Sequence, residues 1–425
     1  MKKKNIHYAW FILLGVILIR GFAGGGLNTT SGLFLPPVSQ ELDVGIGTLS
    51  IYFSITSIVM VFWLPFAGTL INRYDIRVMA VAGAVLQTLS FMAFGLLNQV
   101  YGWYILSIPY AMGATILVSL LGPILINRWF TKNAGLMMGI QMAFVGLFGA
   151  VLQPAASNII FRQGWRTAYF LMGGAAFLVV ILTSLILLRN KPEDKHLSPL
   201  GADIRPSKQG KAGSGKTTET VETVEIPEKT AIYSISFALL LLFMISITGI
   251  GVFSQHIPNY GSLLGYTPSQ TGKALALASV GSAIGSIAIG IISDRIGSLK
   301  TCYGMIGIGF LSIFGFLFSG NGFGIFGLSA FLHGLVSSSI MVLAPILTLK
   351  FYGRTDYEKI FAKLSMGAPI SSIVLIPAYG FIFDLTESYQ TVLAAMLCLL
   401  VIALLSITLG WKNRCTQAGC ALWKK

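Results

Sequence analysis

Charge is what this sequence has least of. Of its 425 residues only 10% are Asp, Glu, Lys or Arg, while 55% are hydrophobic. A soluble chain carries about 25% charged residues. So little charge excludes a surface that faces water on all sides. Acids are the scarcer sign, with 15 Asp and Glu against 29 Lys and Arg. None of the carboxylates falls in the middle of an apolar run, which argues against a carboxylate proton relay at membrane depth. Cysteine is scarce too. Cys302, Cys398, Cys415 and Cys420 match neither a zinc spacing nor a disulfide framework. The apolar runs hold no metal cluster and no nucleophile beside a base, so neither an enzyme nor a cofactor is expected.

Apolar runs of 20 or more residues are what the chain has instead, each able to cross a ~30 Å hydrocarbon core as a helix. The expected spans are 8–36, 47–71, 77–97, 100–128, 134–160 and 165–188, then 230–257, 269–292, 299–319, 323–349, 358–383 and 389–411. This pattern predicts an all-α membrane protein of twelve transmembrane helices. It divides into a six-helix bundle over 1–189, a flexible linker over 190–229, a second six-helix bundle over 230–411 and a tail over 412–425. The linker is rich in Lys, Glu, Thr, Ser, Gly and Pro and cannot bury a core. Forty-eight glycines suit closely packed membrane helices. The basic start, Met1 to Lys4, has the look of a signal peptide. Its apolar run continues through Phe34, longer than a signal core, so it reads as a retained first helix.

The net charge of +14 reads as topology. Basic residues cluster at Lys2–Lys4, in the linker and at the C-terminal end, whereas alternate loops hold few. Lys- and Arg-rich loops stay on the cytoplasmic side. Both termini and the linker are therefore expected inside, in a multi-pass protein of the cell inner membrane. Its surroundings are the lipid bilayer. No nucleic-acid partner is expected, and the chain reads as a monomer.

The two halves repeat. One offset of 222 residues carries Pro36 onto Pro258, Gly68-Thr-Leu-Ile-Asn72-Arg73 onto Gly290-Ile-Ile-Ser-Asp294-Arg295, and Pro123-Ile-Leu onto Pro345-Ile-Leu. Duplicated halves around a midplane site are a frequent design of carriers. Gly210-Lys-Ala-Gly-Ser-Gly215-Lys216-Thr217 spells a phosphate-binding loop. That pattern needs a preceding strand and a following helix, and a linker of some forty residues offers neither.

Gly290-x-x-x-Asp294-Arg295-x-Gly297-x-x-Lys300 resembles the signature cytoplasmic loop of the major facilitator superfamily, with a degraded first copy at Gly68 to Arg73. His7-Tyr8-Ala9-Trp10, Gly32-Leu-Phe-Leu-Pro-Pro37, Arg128-Trp-Phe130 and Gly164-Trp-Arg166 are similar to the monocarboxylate transporter and oxalate:formate antiporter branch. The resemblance implies transport of a small organic anion by alternating access, with protons or against a counter-anion. It also implies that Gly68, Arg73, Gly290, Asp294 and Arg295 form a gating loop. Cations that pair with substrate in that branch would fall at Ser286, Met366 and Asn28 here, and all three are replaced. Efflux of amphipathic compounds is the alternative transport reading. A non-transporting membrane sensor is a further one.

Candidate ligands are polar residues at membrane depth. Arg20 lies twelve residues into the first helix, about 18 Å along it. Its donor fork suits a carboxylate, and an intramembrane arginine usually faces an interior cavity. Asn28 lies near the same face. Tyr110, Gln141 and Lys363 join the substrate list, with Gln141 and Lys363 paired by the 222 offset. His333 is a candidate for both substrate and proton, and His256 for a proton. Helix-packing hydrogen bonds and snorkelling lysines are the competing accounts of these residues.

Overall fold

The computed structural model describes residues 7–131, 134–195, 197–201, 226–353 and 356–414. Twelve helices are long and apolar enough to span a membrane. They are numbered here α1 (Ala9–Leu42), α2 (Ile46–Ile71), α3 (Ile76–Phe94), α4 (Val100–Trp129), α5 (Leu136–Gln163) and α6 (Trp165–Ile186), then α7 (Ile235–Gln255), α8 (Pro268–Ile296), α9 (Ser298–Leu317), α10 (Phe323–Tyr352), α11 (Lys359–Thr386) and α12 (Tyr389–Lys412). They form two six-helix bundles. In lipid every backbone N–H and C=O must be satisfied within the chain, and these runs meet that demand as helices. Among the described residues the only strand-like pairing is one isolated bridge, Phe130 with Leu200.

Local chemistry sets the helix ends. Asp75 caps α3 by accepting from the Arg77 N–H at 2.8 Å. Thr267 and Gln270 form a reciprocal capping box at the start of α8. Gly164 (φ +85°) separates α5 from α6, and Gly297 (φ +90°) separates α8 from α9; side chains rarely adopt that backbone. The first helix runs further than the 8–36 expected from sequence. Its prolines Pro36 and Pro37 occupy the first turn of a new α segment, where a missing N–H costs nothing, and Asp43 (φ +51°) ends it.

Among the described residues two spans carry a π-helical stretch. Residues Gly21–Asn28 of α1 and Thr115–Leu120 of α4 wind as π-helix. Wider winding of this kind appears often at functional sites. In α1 it accompanies close packing on α5. A side chain at Gly25 would drive a Cβ to 2.9 Å from the Phe148 Cβ, so glycine is required there.

The expected linker, 190–229, is described only in part. Leu200 N–H donates to the Trp129 carbonyl at 2.8 Å, and Thr131 N–H donates to the Leu200 carbonyl at 3.1 Å. Those residues pack on the first bundle. Residues 210–217, Cys415 and Cys420 lie outside the described residues. Cys302 is buried, Cys398 is exposed, and both are free thiols.

The bundles meet tightly at one end and part at the other. The closed end carries the α1–α2 and α11–α12 turns. There the Asp384 carboxylate of α11 accepts from the backbone N–H groups of Ile46 (2.9 Å) and Gly47 (2.7 Å) at the start of α2. Gly47 and Gly380 let the two backbones touch, since a Cβ on Gly47 would lie 2.6 Å from the Phe381 nitrogen. Ser54 donates to the Ile373 carbonyl at 2.5 Å, and Ser157 of α5 to the Pro268 carbonyl of α8. The opposite end carries the α2–α3 and α8–α9 turns. Gly68, Gly139 and Gly290 face open space there, and Arg73, Asp294 and Arg295 are exposed. Among the described residues its ion pairs, such as Lys363 with Glu228 at 2.7 Å and Lys359 with Asp356 at 2.9 Å, each stay within one half. The Lys359 ammonium, helped by the Glu228 N–H, holds the Asp356 carboxyl below its ordinary range.

Candidate functional site

Between the bundles lie two adjoining cavities of about 240 Å³ and 230 Å³ that share Asn28, Ser254 and Gln255. The first is walled by α1, α2, α4, α7 and α11, with Ser31, Thr56, Ser57 and Tyr110 among its polar groups. The second is walled by α1, α5, α7, α8 and α10, with Thr29, Gln153, Ser279, Ser282, His333 and Ser337. No Lys, Arg, Asp or Glu is among the described residues that line either one. The site works with amides, hydroxyls and one imidazole.

The orientation of Asn28 follows from its neighbours. The Ala23 carbonyl can only accept, so the group of Gln87 that reaches it at 3.1 Å is the amide nitrogen. That nitrogen's second hydrogen meets Asn28 Oδ1 at 2.9 Å. The Tyr110 hydroxyl donates to the same oxygen at 2.6 Å. With its oxygen held twice, Asn28 turns its NH₂ toward the cavity as a donor. Asn28 is the last residue of the π-wound stretch Gly21–Asn28.

Gln255 closes α7 on the other side of the shared region. Its Oε1 is buried with no protein partner. Such an atom is costly to leave unmade and is a place for a ligand donor. His333 stands in α10. Its Nε2 lies 3.3 Å from the Gly251 carbonyl, which assigns the proton to Nε2 in the neutral ring. Its Nδ1 is a buried acceptor without a partner. Many hydroxyls donate to their own helix, as Ser31 does to Leu27 O (2.8 Å) and Thr56 to Tyr52 O (2.8 Å), and so present oxygens to the cavity.

Three of the candidates read from sequence, Asn28, Tyr110 and His333, come together in these walls. Arg20 and Gln141 do not line them. They lie together near Gly122, toward the open end, and both are buried. Lys363 is engaged by Glu228 at the open end. Its depth along α11 looked site-like because sequence depth does not show that a distant acid lies beside it. His256 is fully enclosed, with Nδ1 3.2 Å from the Tyr389 hydroxyl and Nε2 2.9 Å from the Ile376 carbonyl. Both its nitrogens are engaged in packing. The loop residues Gly68, Arg73, Gly290, Asp294 and Arg295 make no ion pair among the described residues. Sequence reasoning did not single out Ser254, Gln255, Thr56 or Asp384. The signal for Asp384 was the Gly45-x-Gly47 pair, two small residues at a helix start that invite close approach.

A polytopic bundle with a central polar cavity, sealed at one end and open at the other, is the architecture of a solute transporter. The chain belongs to the major facilitator superfamily, whose family model matches residues 13–327 and 239–414. It is 24% identical over 416 residues to an MFS-type transporter of Gibberella moniliformis, covering 95% of this chain and 91% of that one. Human monocarboxylate transporter 6 is 25% identical over 41% of this chain and 34% of its own length. The oxalate:formate antiporter of Oxalobacter formigenes is 22% identical over 42% of each. A bacterial homologue of the lysosomal transporter Spinster, solved inward-facing, has the same fold with a TM-score of 0.67 at 12% identity, covering 98% of this chain and 100% of that one.

Proposed function

We propose that this carrier moves a small monocarboxylate together with one proton across the inner membrane by alternating access. The observation that carries the reading is the cavity lining, which holds no formal charge among its described residues. A bare carboxylate in such a site would lack a counter-charge, at a cost of several kcal/mol. A carboxylate that arrives with a proton keeps the contents neutral. His333 Nδ1 is the proton's place, because an imidazolium there would still donate through Nε2 to Gly251 O and would donate through Nδ1 to the carboxylate. Asn28 supplies a further donor, and Gln255 Oε1 accepts from a hydroxyl on the cargo. The open end is the cytoplasmic one, since the basic linker and termini emerge there.

A second reading is a neutral polar solute, favoured by the many hydroxyl oxygens facing the cavity. Counterflow in proteoliposomes separates the two. Vesicles preloaded with unlabelled lactate, pyruvate, formate, oxalate or longer carboxylates are tested for uptake of each labelled compound. The proposal expects a monocarboxylate to exchange and dianionic oxalate to be excluded. If no carboxylate exchanges in a folded preparation, the monocarboxylate reading is lost. Neutral solutes and efflux of amphipathic compounds then take its place, and failure of every solute would leave the sensor reading.

A further inference from the structure

Arg20 is the one fully buried Lys, Arg, Asp or Glu side chain among the described residues, at 4% exposure. No carboxylate pairs with it. Its Nε and Nη1 have no hydrogen-bond partner, and Nη2 reaches only the Met142 sulfur at 3.5 Å, a weak acceptor. A guanidinium stays charged, so it cannot escape the cost of burial by losing its proton. Beside it Gln141, fully buried, also has an unpaired Oε1. Gly122 of α4 lets them pack together: a Cβ there would collide with Gln141 Oε1 and lie 3.0 Å from Arg20 Cδ. Arg20 and Gln141 thus sit packed among α1, α4 and α5, with donors free and no negative charge beside them among the described residues.

We propose that this pair of unpartnered buried side chains forms a second binding site, for a small monovalent anion that enters between them as they shift apart, distinct from the central cavity. The anion accepts from Arg20 Nε and Nη1, and an amide flip lets Gln141 donate its NH₂ in place of presenting an oxygen. Arg20 precedes Asn28 by eight residues, about 12 Å along α1 toward the open end, and the π-wound segment Gly21–Asn28 connects the two sites. Two sources share this chemistry: a resident inorganic anion such as chloride, or a carboxylate.

The test is thermal unfolding of the full-length protein in detergent. Sodium chloride or sodium formate replaces sodium gluconate, whose anion is too bulky for the site, at constant ionic strength. A ligand that binds only the folded state raises the melting temperature with saturation. The proposal expects a saturable rise of several degrees in the wild type that is absent in Arg20→Gln. Gln141→Leu, which keeps the charge, should need a several-fold higher anion concentration; it carries the test if Arg20→Gln does not fold. A rise with chloride marks a resident inorganic anion, and a rise with formate alone marks a carboxylate site. No saturable rise with either anion overturns the proposal, as does a rise unchanged in the folded variants. Asn28→Ala makes the result independent of the cargo assignment: it should keep the anion response whatever becomes of its transport.

Discussion

Asn28 shows how a single side chain is made functional by those behind it. Gln87 and Tyr110 hold its oxygen, so the amide NH₂ is available without reorganisation. Asn28→Ala is expected to raise the transport KM about tenfold, the worth of one buried hydrogen bond, with folding preserved. Gln87→Leu should give a similar but smaller effect, because Asn28 is then free to rotate. Concentration-dependent uptake by the two variants checks this, and an unchanged KM for Asn28→Ala removes the residue from the site. Residue-level legibility was uneven. Asn28 stood out because it lies near the face of the first helix that carries Arg20, and its role as a shaped donor is a matter of neighbours. Arg20 was legible as deeply placed, but depth along a helix does not tell which side chains share its face. His256 and His333 look alike in sequence, both in apolar runs. Tyr389 and Ile376 claim both nitrogens of the first, whereas Gly251 claims only one of the second.

Helix ends and helix breaks control access. The closed end depends on the N-terminus of α2, whose free N–H groups and positive dipole end receive Asp384. The latch is a carboxylate from one bundle seated on a helix start of the other, so it must break when that end opens. Hydrogen bonds to a charged group contribute about 1.5–3 kcal/mol each. Asp384→Ala is therefore expected to shift the population at least tenfold toward opening of the closed end, and Asp384→Asn less. The readout is labelling at Ser57→Cys by an impermeant thiol reagent applied from that side, with the natural cysteines replaced by serine. Equal rates with and without Asp384 would refute the latch. The apolar runs made all twelve spans readable in advance, and the repeat at offset 222 gave the two bundles. The π-windings of α1 and α4 were hidden, because they leave no period in the sequence.

At the scale of the molecule the two related halves pack asymmetrically along the membrane normal. One end is joined through α2–α11 and α5–α8, and at the other Gly68, Gly139 and Gly290 open onto empty space. The duplication foretold an alternating structure, but no sequence pattern selects which end is shut, since both arrangements use the same helices. Asp294 and Arg295 are exposed at this open end. On the proposed function the bundles rock about a cavity whose described lining holds no Lys, Arg, Asp or Glu, so the loaded carrier should cross with no net charge in its site. The measurement that tests this most directly is monocarboxylate uptake into proteoliposomes under separately imposed gradients. The account predicts that an acid exterior drives accumulation, that a potassium diffusion potential at equal pH does not, and that His333→Gln loses the pH-driven component. Uptake that follows the membrane potential and ignores the pH gradient would mean that the anion crosses without a proton, and would contradict the account.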